Sequence, residues 1–281
     1  MPPLLALVRG ILGITVLLAL AVLLSTDRRR INWPVVAAGI GVQIILALLI
    51  LETTAGQVFF RAVGSFFAQL LDFTYEGTAF LFGALGRPEG ETGIIFAFHV
   101  LPVIIFFGSL MSVLYYLHLV QPLIRGMGYV MRKTLRISGA ESLAAAANVF
   151  VGHLEAALVI RPYVEKLTRS ELMTLMTGGM ATIAGSVMTA YIAMLGGDSP
   201  QQQTRFAAHL LSASLMSAPA AIVTAKILVP ETATPTTLGR ADLDVEPEGT
   251  NLLEVAADGA AEGLKLAMNV GAMLLAFIAL I

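Results

Sequence analysis

The residues best suited to chemistry lie together near the middle of the chain, in the segment SGAESLAAAANVFVGHLEAALVIRPYV from Ser138 to Val164. Asn148, His153 and Glu155 stand near its centre, between apolar, helix-forming arms. An amide, an imidazole and a carboxylate so close together can hold a cation, bind a polar solute or relay a proton. Each also has a plainer use. Glu155 is either a functional carboxylate, one kept protonated in a dry core, or one neutralised by Arg161. Carboxylates inside membranes are rare enough to favour function. Asn148 is either a ligand or an amide bonding across helices, and His153 an ion ligand, a relay or a hydrogen-bonded spacer. A second polar point follows at Thr182, just after Gly178 and Gly179. Local unwinding there would turn Thr182 and the carbonyl of Ile183 toward the tip of that segment, although close helix packing explains the same small residues.

Enzymatic chemistry is not written in this sequence. The phosphate-cradling GxxxxGK pattern is absent, and the four histidines, at 99, 118, 153 and 209, form neither HExxH nor a close pair. There is no cysteine, which excludes disulfides, thiolate metal sites and a thiol nucleophile. The expectation is therefore a protein that is not an enzyme and carries no resident cofactor.

Composition says what must surround these residues. Of 281 residues, 57% are hydrophobic and 13% charged, and mean hydropathy is +0.83. Soluble domains run near 25% charged, so the polar coat of a water-facing surface is missing. A bilayer core of ~30 Å needs roughly 20 apolar residues per helix. Counted generously, the stretches 4–24, 35–51, 94–120, 172–195 and 206–229 meet that requirement, and a sixth begins near Leu252 with 264–281 as its membrane portion. The expected fold is all-α: a polytopic integral membrane protein with about six transmembrane helices, an interfacial helix and a re-entrant helical hairpin. The interfacial helix is read from 57–72, where Phe59, Phe60, Val63, Phe66, Phe67, Leu70 and Leu71 repeat at helical spacing opposite Arg61, Ser65, Gln69 and Asp72. An ordinary helix packed on the bundle fits the same pattern.

Basic residues set the orientation. Arg28, Arg29 and Arg30 place the first loop inside and the N-terminus outside. Arg125, Arg132, Lys133 and Arg136 precede 137–160, and Arg161, Lys166 and Arg169 follow it. With both flanks on the cytoplasmic side, the segment must dip in and return. Each arm then reaches about half-way across, at ~1.5 Å per residue. Its tip would expose backbone amides and carbonyls at mid-membrane, which is tolerated only where they are buried in protein or line a cavity. The acidic stretch with Asp242, Asp244, Glu246 and Glu248 reads as a solvated cytoplasmic loop.

These segments resemble the concentrative nucleoside transporters over nearly the whole chain. FAFHVLPVIIFFGSLMSVLYYL at 96–117 is similar to that family's third span, and 138–164 to its first hairpin. SELMTLMTGGMATIAGSVMTAYI at 170–192 is similar to its fourth span, and NVGAMLLAFIALI at 269–281 to its sixth. The resemblance implies a cation-coupled symporter, driven by sodium or by protons, that imports nucleosides by an elevator mechanism. It implies a homotrimer in the lipid bilayer of the bacterial inner membrane, with no nucleic-acid partner. By position it assigns sodium to Asn148, the carbonyl of Val151, Thr182 and the carbonyl of Ile183. His153, Leu154, Glu155 and Val187 fall at the substrate. It divides the chain into scaffold spans one and two (1–56), an interfacial segment (57–93), the third span and basic loop (94–136), and the hairpin of the transport domain (137–169). Spans four and five (170–229), an acidic loop (230–263) and a sixth span (264–281) follow. The family's hairpin tip reads Gly-Gln-Thr-Glu-Ala-Pro, whereas here it is Gly152, His153, Leu154, Glu155, Ala156 and Ala157. The glutamate is kept while glutamine, threonine and proline are replaced, which implies altered base recognition. A second hairpin and two last spans are missing, so the chain reads as cut short. The alternative is a truncated or split relative that does not transport and assembles with a partner.

Overall fold

A computed structural model of the chain describes residues 3–87, 95–150, 152, 156–157, 159–197, 199–238 and 250–281. Among the described residues every regular element is a helix. Helices α1 (Pro3–Leu23) and α2 (Trp33–Leu51) are joined by a 3-10 turn over Arg28–Arg30. Arg28 donates from Nε to the carbonyl of Val22 (3.1 Å) and from Nη2 to that of Leu23. A basic residue read from sequence as a marker of membrane side thus also caps the carbonyls that a helix end leaves free.

The amphipathic pattern at 57–72 belongs to a longer helix, α3 (Thr54–Phe82). Thr53 starts it by accepting from the Gly56 amide (3.0 Å), and Gly83, at φ +61°, ends it. Its buried line runs through Phe60, Gly64, Leu71, Thr74 and Thr78. Phe59 and Phe66, expected on the same face, stand with Phe73 on an exposed line. The apolar arc is wide enough to pack on the bundle along one edge and face outward along the other.

Helices α4 (Phe96–His99) and α5 (Leu101–Tyr116) form one apolar run, Phe96–Tyr116. The amphipathic helix α6 (Gln121–Leu135) ends at Arg136 in the left-handed conformation, φ +52°. Helix α7 (Gly139–Asn148) begins the expected hairpin segment, and a 3-10 turn covers Arg161–Lys166. The stretch 172–195 is two helices, α8 (Arg169–Ala181) and α9 (Gly185–Gly196), interrupted at Thr182–Ala184. Helices α10 (Pro200–Leu228) and α11 (Leu252–Leu280) complete the chain.

Helix α10 is the central post, touching α2, α3, α8 and α9, while α11 lies along α5. That second pair meets backbone to backbone: a Cβ on Gly108 would stand 2.7 Å from the carbonyl oxygen of Gly259. Small residues permit such contact, and dispersion across it replaces the hydrophobic force that a lipid solvent cannot supply. Trp33–Leu51, Phe96–Tyr116, Pro200–Leu228 and Leu252–Leu280 are long and apolar enough to cross a membrane, while Val8–Leu23 and Val187–Gly196 are shorter apolar helices. Large apolar side chains cover the outside, among them Phe80, Leu275 and Ile278 at 90%, 75% and 72% exposure. An apolar surface this extensive is suited to lipid or to further protein contact.

Candidate cation and substrate site

All 10 residues of α7 are buried, including four consecutive alanines, Ala144–Ala147. The sequence starts this helix unambiguously. Ser138 accepts from the Glu141 amide (3.3 Å), and Glu141 Oε2 accepts from the Ser138 amide (3.2 Å), a reciprocal capping box. Thr168 and Glu171 repeat the arrangement at the start of α8, with distances of 3.1 and 2.7 Å.

The two helices pair in the same order along their lengths. Thr174 on α8 meets Glu141 on α7, with Oγ1 donating to Oε1 at 2.9 Å. One turn later a Cβ on Gly178 would lie 2.9 Å from Asn148 Nδ2. Their C-terminal ends therefore stand side by side. Thr182 closes α8, its amide and its Oγ1 both donating to the carbonyl of Gly178 (3.1 and 2.9 Å). Each helix end carries roughly half a negative charge, so two together make a place that favours a cation.

Asn148 occupies that place. It is 1% exposed, and among the described residues neither its Oδ1 nor its Nδ2 has a hydrogen-bond partner. A buried amide without partners costs about 1–3 kcal/mol for each unmet group, so its position requires a reason. The neighbouring groups are otherwise well fixed. Ser214 of α10 donates to the carbonyl of Val149 (3.0 Å), and the Gly185 amide donates to that of Phe150 (3.1 Å). Gly185 is required there, since a Cβ would come within 2.8 Å of the Phe150 oxygen. Oxygen donors from an amide, a hydroxyl and helix-end carbonyls form a set suited to a hard monovalent cation.

Of the residues singled out from sequence, the structure brings Asn148 and Thr182 to the same end of the α7–α8 pair. Ile183 lies half-buried in the interruption between α8 and α9, packed with the cluster of Met188, Ile192 and Phe107. Val187 lies half-buried in the first turn of α9. Val151, His153, Leu154 and Glu155 lie outside the described residues.

Sequence reasoning missed a buried ionic network at the other end of α7. Lys226 Nζ of α10 stands 2.6 Å from Glu141 Oε1, 3.0 Å from Ser170 Oγ and 3.4 Å from Glu231 Oε2. Glu231 Oε2 also accepts from Thr168 Oγ1 (2.8 Å). The readable signals were the two S/T-x-x-E patterns and one lysine near the apolar C-terminal end of α10. A cleft of about 740 Å³ opens beside Thr168, Ser170 and Glu231, bordered by Asp27, Arg30 and Arg169. It lies at the end of α8 opposite Thr182.

A helix interrupted beside the buried end of another, on an all-helical frame with an apolar exterior, defines a multi-pass membrane protein. Comparison with known proteins gives the particular family. Residues 12–85 match the model for the Na+ dependent nucleoside transporter N-terminus, 97–198 match "Gate: Nucleoside recognition", and 209–281 match the corresponding C-terminus. The chain belongs to the concentrative, Na+-dependent nucleoside transporter family. An uncharacterized transporter of Haemophilus influenzae is 44% identical over 272 residues, covering 97% of this chain and 63% of the relative. Solute carrier family 28 member 3 of Mus musculus is 43% identical over 270 residues, covering 96% and 36%. The solved structure of CNTnw in an inward-facing substrate-bound state superposes with a TM-score of 0.86 at 42% identity, covering 98% of this chain and 63% of that one. A variant of CNTnw in an outward-facing state gives 0.86 at 40%, with the same coverage. The chain thus spans less than two thirds of the length of these relatives.

Proposed function

We propose that this chain supplies the cation site, and one wall of the solute site, of a symporter that imports nucleosides or nucleoside-like substrates using a sodium gradient. The observation that carries the reading is the Asn148 amide, without a partner among the described residues and buried where the C-terminal ends of α7 and α8 meet. A sodium ion there takes oxygens from Asn148 and Thr182, with the carbonyls of Val151 and Ile183 completing its shell. It neutralises the helix-end charge and gives the amide oxygen a partner.

Residues 137–164 enter and leave the membrane from the cytoplasmic side, and Glu155 at the tip meets a hydroxyl or amine of the solute. Val187 contributes an apolar contact to the base. His153 and Leu154 replace two amide- or hydroxyl-bearing positions of the family's tip, which shifts recognition toward a base bulkier or less polar than uracil. Relatives solved in inward- and outward-facing states support alternating access, with the site carried in a moving body of an elevator. A homotrimer in a bacterial inner membrane with the N-terminus outside completes the reading. The test is Asn148→Ala in the transport-competent protein. The sodium concentration for half-maximal uptake should rise; an unchanged sodium dependence refutes the site.

A further inference from the structure

The network around Lys226 does more than neutralise charge, because of where its carboxylate sits on α7. Glu141 divides its two oxygens: Oε2 caps its own helix at Ser138, while Oε1 receives Lys226 from α10 and Thr174 from α8. The side chains of Lys226 and Glu141 are 8% and 1% exposed. The ammonium has three donors, and Glu141, Ser170 and Glu231 use them. Two further ties hold the same helix end, since the amides of Gly139 and Ala140 donate to the carbonyl and Oγ1 of Thr237 (2.9 and 3.1 Å).

Polar anchoring of this density is informative on such a helix. The body of α7 is Ala144–Ala147, all within the apolar cluster that also holds Ile124, Leu135 and Ile222. Alanine surfaces are shallow, so packing alone resists sliding or rotation of α7 weakly. A buried charged pair adds little net stability over an apolar one, and its best-attested use is to fix register. Asn148 lies about two turns beyond Glu141, at ~3.6 residues per turn. Any change of height or rotation at the anchored end moves that amide, and binding sites tolerate misplacement of only about 0.5 Å.

We propose that Lys226 and Glu141 form an electrostatic latch that sets the register of α7 and thereby positions the Asn148 amide for the cation. Lys226 is then a positioning residue, acting through α7 and not by contact with the ion. This rests on the cation reading of Asn148 given above.

The test uses the transport-competent protein purified in detergent, with its melting temperature followed as sodium chloride replaces choline chloride. Melting without sodium reports structure, and the sodium concentration at half of the stabilisation reports the site. Lys226→Met strands Glu141, so it should lower the baseline and raise the sodium midpoint about tenfold, a coupling ordinary for residues in one network. Glu141→Gln with Lys226→Met removes the buried charge at 141 and leaves only the partly exposed Glu231 without its cation; it should recover much of the baseline while the midpoint stays raised. If the single variant does not fold, the double variant carries the test. A double variant with a wild-type midpoint overturns the latch and leaves the network a structural role. Asn148→Ala is the reference. If it moves the midpoint and the double variant does not, the latch fails and the cation reading stands. If Asn148→Ala does not move it, the cation reading fails and the latch with it.

Discussion

A single methyl group placed opposite Asn148 is the sharpest probe of the site. Gly178 faces the amide so closely that a Cβ there would lie 2.9 Å from Nδ2, with no backbone atom in the way. Contact below about 3.0 Å is not tolerated, so Gly178→Ala must push the amide aside. The amide is the far end of a two-torsion side chain and can turn, at a cost of about 0.5–1.5 kcal/mol for an off-rotamer angle of ~30°. If that geometry is the one the cation needs, the cost falls on the bound state. At RT ≈ 0.59 kcal/mol, it corresponds to a roughly 2- to 13-fold rise in the sodium concentration for half-maximal uptake. The helix itself gains from the change, since alanine is favoured over glycine by about 0.8–1.0 kcal/mol in a helix interior. Folding should therefore survive. Gly126→Ala is the control, because a Cβ on Gly126 meets nothing within 4 Å. The assay is uptake of radiolabelled nucleoside into vesicles over a sodium series, with both variants at matched incorporation. The reasoning is refuted if Gly178→Ala incorporates normally and shows the sodium dependence of Gly126→Ala.

Three other outcomes are expected. Single cysteines at Thr134→Cys and Arg169→Cys should react with an impermeant reagent from the same side of the membrane, and labelling from opposite faces removes the re-entrant path. Glu155→Gln keeps shape and removes charge, so uptake should fall steeply while assembly is unchanged; wild-type uptake makes Glu155 a structural carboxylate. His153→Gln with Leu154→Thr should tighten uridine binding, by about 0.5–1.5 kcal/mol for each regained hydrogen bond. Equal uridine affinity in both proteins shows that the tip has not redirected specificity.

Gly178 also shows where sequence reasoning stops. From the chain alone, Gly178 and Gly179 meant either unwinding or close packing. The structure contains both, with close approach at Gly178 and the interruption four residues later, at Thr182–Ala184. The pattern at 57–72 was legible as a helix because apolar residues recur at its period. Its length of 29 residues was not, since Thr74, Glu76, Gly77 and Thr78 interrupt the apolar pattern before it resumes at Phe80.

What the sequence determined by itself was local or additive. The shortage of charge called for an apolar environment, apolar run lengths marked four helices long enough to cross a membrane, and the S/T-x-x-E patterns encode the starts of α7 and α8. The oxygen-bearing side chains of Asn148 and Thr182 were legible as well. Each of these properties is carried by neighbours along the chain and survives without any knowledge of packing. Tertiary structure alone decided that Lys226 meets Glu141, that Ser214 holds the carbonyl of Val149, and that Gly178 stands against an Asn148 amide buried without a partner among the described residues. These pairings depend on the height and rotation of one helix against another. Hydropathy encodes neither, because an apolar helix face looks the same to lipid at every register.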